Sequence, residues 1–182
     1  MTPSPPLIDV RDPATGEVVG SIRSGTADEA VQLVDAAAAA QRDWAARAPE
    51  ERAALVRRAA DVVERHAEEV ALLQTREVGR PIGESESAVA AAIATMRQFA
   101  ELGPLHRGHA LCGSWDATDV MVHVPRGVAA VITPWNDPVA IAAQGVAANL
   151  VVGNTVVCKP SERAPLAALR MLELVRDLFP SG

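Results

Sequence analysis

The side chains with most to offer chemistry lie late in the chain, in Val131-Ile132-Thr133-Pro134-Trp135-Asn136-Asp137-Pro138. Two prolines stiffen this turn by presetting φ, so the amide of Asn136 stands at a fixed tip. A second unusual turn, Lys159-Pro160-Ser161-Glu162-Arg163-Ala164-Pro165, sets an ammonium close to a carboxylate. Taken singly, Trp135 reads as core and Lys159 with Glu162 as an exposed loop pair. The remaining reactive groups point to less. Cys158 ends an apolar run, where a free cysteine is an inert small hydrophobe. His109 and Cys112 form H-x-x-C with His106 nearby, but without a second cysteine pair this reads as a structural loop, and no metal is expected. His66 and His123 have no Ser or Cys partner in a motif. Glu50, Glu51, Arg52, Arg57 and Arg58 read as a solvated charged face.

The elements that must position these turns follow from periodicity. Leu7–Val10 and Val18–Ile22 flank Asp12-Pro13-Ala14-Thr15-Gly16, which predicts a β-hairpin. Thr26 with Glu29 three residues on predicts a capped helix, with Ala30, Leu33, Val34, Ala37 and Trp44 on its apolar side. Pro49 suits the first position of a second helix, whose stripe of Leu55, Ala59, Val62, Val63, Val70 and Leu73 runs down to Gly79. A third helix is predicted over residues 84–102, stopped by Gly103-Pro104. From Asp119 the period changes. Val120, Val122 and Val124 alternate as in a strand, and Val128–Ile132 reads as a fully buried strand. A helix from about Asp137 to Val152, Gly153 as its left-handed cap, a second buried strand Thr155–Cys158 and a helix to Phe179 complete a βαβα unit with a parallel sheet. Ligands in such sheets bind beyond the carboxyl ends of the strands, where both unusual turns fall. The expected fold class is therefore α/β: an N-terminal β-hairpin (1–24), a helical layer with a connecting loop (25–118), then the first βαβα part of a Rossmann-like parallel sheet (119–182), incomplete at the C-terminus.

Composition narrows the function classes. A chain of 182 residues, nearly half hydrophobic, suits about one domain with a buried core. The net charge of -6 comes with interleaved acids and bases, so no stripe for nucleic-acid phosphates is expected. Two distant cysteines fit a reducing compartment, and cytoplasmic location is the expectation. MTPSPPLIDV lacks the basic and apolar regions of a signal peptide. The apolar stretch Val139–Gly153, broken by Gln144, Gly145 and Asn149, falls short of the ~20 residues of a membrane span, so no membrane partner is expected.

In order along the chain, Pro125-x-Gly127-Val128, Thr133-Pro134-Trp135-Asn136-x-Pro138, Gly153-Asn154-Thr155-Val156-Val157 and Lys159-Pro160-Ser161-Glu162-x-x-Pro165-Leu166 resemble the first half of the cofactor domain of the aldehyde dehydrogenase family. Pro13-Ala14-Thr15-Gly16-Glu17, Glu51-Arg52 and Glu77-Val78-Gly79-Arg80-Pro81 resemble its N-terminal segment. The resemblance implies an oxidoreductase that attacks a small-molecule aldehyde with a cysteine thiolate, passes hydride to NAD and releases a carboxylic acid by a glutamate-assisted water. It implies that Asn136 is an oxyanion-hole donor, that Ile132, Thr133, Pro134 and Trp135 line the cofactor site with Ser161, and that Lys159 and Glu162 hold the adenosine ribose. Because a carboxylate accepts from a ribose diol and repels a 2'-phosphate, NAD is expected over NADP.

Departures accompany the match. Asp137 stands where the family usually carries an aromatic or apolar residue; it reads as an acid favouring a helix N-terminus, or else as a group facing the substrate tunnel. No cysteine or glutamate lies in a matching catalytic context, no later glycine-rich segment follows, and Gly182 falls where a third strand should begin. The chain is thus expected to be the front portion of such an enzyme, inactive alone and a homo-oligomer or associated with full-length relatives. A nucleotide-binding module and a non-catalytic interaction protein docking on full-length relatives are the alternatives.

Overall fold

The computed structural model describes residues 6–180; the signal-peptide reading of residues 1–5 and the strand start expected at Gly182 lie outside them. Strands β1 (Leu7–Arg11) and β2 (Val18–Arg23) form the expected antiparallel hairpin. Thr26 caps α1 (Ala27–Ala46) as expected: its hydroxyl accepts from the Glu29 N–H while the Glu29 carboxylate accepts from the Thr26 N–H. The apolar side of α1 is narrower than expected. Ala37 and Trp44 are buried, but Leu33 and Val34 are exposed, because among the described residues no further layer covers that flank of α1.

The single helix expected over 49–79 is two, α2 (Pro49–Arg65) and α3 (Ala67–Val78). They part at His66, whose φ of −116° and ψ of 17° leave the helical region. Neither glycine nor proline marks this break, so the apolar period runs through it. Gly79 ends α3 at φ 81°, and a Cβ there would lie 2.4 Å from Pro13 Cγ; glycine is required by conformation and by the hairpin turn packed on it. Helix α4 (Ile82–Leu102) follows, then a short 3₁₀ turn, Gly103–Leu105.

The segment expected as a connecting loop contains a strand. β3 (His109–Cys112) pairs antiparallel with β4 (Thr118–Met121), which stops before Val122 and Val124. All residues of both strands are exposed, so cross-strand pairing rather than burial makes them strands, and no burial pattern in the sequence announces β3. Residues three apart on a strand face opposite sides. His109 and Cys112 therefore cannot converge on one ion.

β5 (Val128–Ile132), α5 (Pro138–Val151), β6 (Thr155–Lys159) and α6 (Leu166–Val175) form the expected βαβα unit, with β5 and β6 parallel. Gly153 is left-handed at φ 91°. The strands are not fully buried as expected: most of their residues are half-buried, and Ile132 is 73% exposed. The sheet has two strands among the described residues, so each keeps an open edge, and an apolar cleft of about 290 Å³ containing Leu33, Trp44, Val157 and Phe179 lies beside β6. On the face of α5 turned to the other helices, Val139, Ala142, Ala143, Ala147 and Val151 are buried. Among the described residues no helix is long and apolar enough to cross a membrane.

Two buried charged groups knit these elements. Arg52 is not on a solvated face as expected; it is 7% exposed. Its Nε donates to the Val151 carbonyl at 3.1 Å, and Nη1 donates to the carbonyls of Ala45, at 3.2 Å, and Arg47. It thereby satisfies orphan carbonyls where α1 and α5 end. Glu77 does the converse. Pro165 precedes α6 without a capping side chain, and the Glu77 carboxylate accepts instead from the N–H groups of Leu166 at 2.6 Å and Ala167 at 2.9 Å. Burial pushes this carboxyl up to about 7, against the two amide donors that favour its charged form. A carboxyl raised in the folded state adds stability below its unfolded value of about 4.3 and loses it as pH climbs through its folded value. Replacing Glu77 by Ala strips the cap and should lower stability by about 1–2 kcal/mol at acid pH. In thermal melts the gap to wild type should narrow as pH rises through about 7; a gap that widens instead refutes this account.

Candidate active site

The parallel register sets Ile132 opposite Lys159. The Thr133 N–H donates to the Lys159 carbonyl at 3.2 Å, so pairing continues one residue past β5. Both proline-rich turns leave the sheet side by side at its carboxyl end. Ile132, Thr133, Pro134, Trp135 and Asn136 are thus brought beside Lys159, Ser161 and Glu162, residues separated in sequence by the whole of α5.

Within this cluster, Trp135 is 49% exposed and is not core. Ile132, Pro134 and Asn136 are exposed as well, so the turn offers an open shelf with an apolar floor and an amide at its tip. Among the described residues the Asn136 side chain has no hydrogen-bond partner within the protein. Thr133 is the exception to this exposure: it is 4% exposed, and its hydroxyl makes no hydrogen bond. Across the shelf, Lys159 Nζ lies 3.5 Å from a Glu162 oxygen. The backbone amide of Glu162 and then the Lys159 ammonium hold the Glu162 carboxyl below the usual range. Ser161 is buried, and its hydroxyl accepts from the Arg163 N–H at 3.3 Å.

Asp137 occupies the cap position of α5, where its carbonyl accepts from the Ile141 N–H at 3.2 Å. Its side chain makes no capping bond to the helix and accepts from Arg80 Nη1 at 3.3 Å. Arg80 lies 3.7 Å from Glu84 as well, so one guanidinium, set between α3 and α4, joins the turn after β5 to the helical layer. No local signal could have paired Arg80 with an acid 57 residues away.

The two cysteines are free and differ in setting. Cys158 lies on β6, and burial pushes its thiol up to about 11, so it stays protonated near neutrality. Cys112 lies on the exposed β3. Among the described residues, no group of three or more His, Cys, Asp or Glu side chains is placed to hold a metal ion.

Comparison with known proteins places this architecture. The pattern of the aldehyde dehydrogenase family matches residues 2–182. The succinate-semialdehyde dehydrogenase [NADP(+)] GabD of Escherichia coli (strain K12) is 35% identical over 177 residues, which cover 96% of this chain and 37% of that protein. A succinate-semialdehyde dehydrogenase structure from Burkholderia pseudomallei superposes with a TM-score of 0.93 at 36% identity, over 97% of this chain and 37% of that one. The structure of PnpE in complex with nicotinamide adenine dinucleotide superposes with a TM-score of 0.93 at 32% identity, over the same shares. The chain spans little more than a third of the length of these relatives.

The unpaired Thr133 hydroxyl sets a measurable cost on the turn. Thr133→Val keeps the shape and removes the orphaned group, and should raise stability by about 1 kcal/mol. A lower thermal midpoint for this variant would show that the hydroxyl is satisfied in solution.

Proposed function

The chain belongs to the aldehyde dehydrogenase family, and on that premise we propose that it forms the front of the cofactor and oxyanion site of an enzyme that oxidises an aldehyde to a carboxylic acid with NAD. The observation that carries this reading is the junction of the two turns, held by the Thr133 N–H on the Lys159 carbonyl at 3.2 Å. The residues present suit the group. The Lys159 ammonium and Glu162 carboxylate give a donor and acceptors, 3.5 Å apart, for a pair of vicinal hydroxyls. Ile132, Pro134 and Trp135 give an apolar surface beside them, Thr133 has a spare buried hydroxyl, and Ser161 fixes the turn that carries Glu162. Bound NAD supplies the hydride acceptor. Glu162 would repel a 2'-phosphate, which favours NAD; GabD is by its name an NADP(+) enzyme, whereas the PnpE structure contains nicotinamide adenine dinucleotide.

Asn136 has the other role. Its amide, set on a turn bounded by Pro134 and Pro138, donates to the oxyanion that forms when a thiolate from the remainder of the enzyme adds to the aldehyde carbon. A donor fixed in advance needs no reorganisation as that charge develops. The Arg80 contact at 3.3 Å gives Asp137 a positioning role: it anchors the residue next to the amide. The thiolate and the general-base glutamate belong to sequence not present in this chain, so the chain alone is inactive. The cytoplasm and a homo-oligomer, or association with full-length relatives, complete this reading.

In the complete enzyme, Asn136→Ala should lower kcat about 10²–10³-fold with little change in KM. An unchanged kcat would remove Asn136 from the oxyanion site. Glu162→Gln should narrow the preference for NAD over NADP in equilibrium titrations, and tighter binding of NADP than NAD to the unaltered enzyme would overturn the cofactor assignment.

A further inference from the structure

We infer that a basic cleft between the end of α1, the start of α2 and the foot of the β3–β4 hairpin binds a small polyanion of the phosphate class. The cleft has a volume of about 420 Å³ and is lined by Arg47, Arg52, Arg126, His106 and His123, with no carboxylate among its lining residues. That concentration of cations stands out in a chain of net charge -6. It lies on different elements from the two turns described above and does not depend on the proposed function.

Each lining group has free capacity. Arg47 and Arg126 make no ion pair among the described residues, and Arg47 rests over the Trp44 ring at 5.8 Å from its centroid. Arg52 spends Nε and Nη1 on three backbone carbonyls, but these carry no net charge. Its buried guanidinium is therefore without a bonded counter-ion, and desolvation pushes its pKa down. The one acid whose field reaches it is Glu50, which lies 3.7 Å from Arg107. His106 and His123 stack at 4.2 Å, with His109 edge-on to His123 at 6.4 Å; no side-chain hydrogen bond engages these rings among the described residues. Gly153 keeps the wall open: a Cβ there would lie 2.8 Å from Pro125 Cγ and 3.5 Å from Arg52 Cζ.

A buried cation lacking a counter-ion is costly, and an anion entering the cleft relieves that cost. Guanidinium forks match the oxygens of phosphate two at a time, and several fixed cations select a multiply charged anion over a single carboxylate. The test is calorimetric titration of inorganic pyrophosphate into the full chain at low ionic strength. One saturable site is expected, weakened by added salt. Arg126→Ala and Arg47→Ala should each raise Kd about tenfold or more. Arg126 is exposed and unpaired, so its variant should keep the wild-type circular dichroism spectrum. Arg58→Ala, which removes an exposed cation elsewhere on α2, should leave Kd unchanged. Lys159→Ala should leave it unchanged too, which separates this cleft from the proposed cofactor site. Absence of a saturable site, unaltered binding in Arg126→Ala and Arg47→Ala, or loss of binding in Lys159→Ala instead would each overturn the proposal.

Discussion

Parallel pairing of β5 with β6 is the constraint on which the candidate site depends. Two strands that run the same way cannot be joined by a tight turn, so the chain must cross back over the sheet, here on α5. That helix has to approach closely. A Cβ at Gly145 would lie 2.7 Å from Val131 Cγ1, and the face of α5 turned to the other helices is mostly alanine and valine. With the crossover in place, both strands end on the same side. The turns after Ile132 and Lys159 then meet without any contact between their side chains having to draw them together.

The rest of the chain serves largely to fix where α5 and α6 begin and end. Trp44 Nε1 donates to the Leu150 carbonyl at 3.0 Å, Arg52 Nε to the Val151 carbonyl and Gln41 to the Gly153 carbonyl at 3.3 Å. Three side chains from the helical layer thus gather the carbonyls left over where the crossover helix stops. At the next strand, Thr155 Oγ1 donates to the Ala37 carbonyl at 2.8 Å, and Glu77 takes the first amides of α6. Leaving such groups buried and unpaired would cost about 1–3 kcal/mol each. The helical layer is therefore part of the machinery that orients the two turns, even though it contributes none of their residues.

Where local chemistry decides the outcome, the reading from sequence agrees with the structure. The Thr26 and Glu29 capping box, Pro49 at a helix start, left-handed Gly153, and the strand–helix–strand order of residues 128–159 all rest on interactions spanning a few residues. The disagreements lie where a distant partner decides. His66 breaks a helix with no punctuating residue. β3 exists because β4 lies beside it. Leu33 and Val34 keep a helical apolar spacing yet stay exposed because, among the described residues, no layer covers them. Arg52 carries the signature of a solvated cation, and its neighbours in sequence do not reveal the three carbonyls that enclose it.

The same division holds at the site. The sequence by itself determined the identity and stiffness of the two turns and the βαβα order that sends them to one end of a parallel sheet, because proline geometry, caps and hydrophobic period act locally. Only the tertiary structure decided that Thr133 is buried without a partner, that Trp135 is half-exposed, that Asp137 reaches Arg80, and that Arg47, Arg52 and Arg126 share one cleft. Burial and electrostatic pairing depend on which surfaces meet across the packed helices, and that is a property of the assembled chain rather than of any stretch of it.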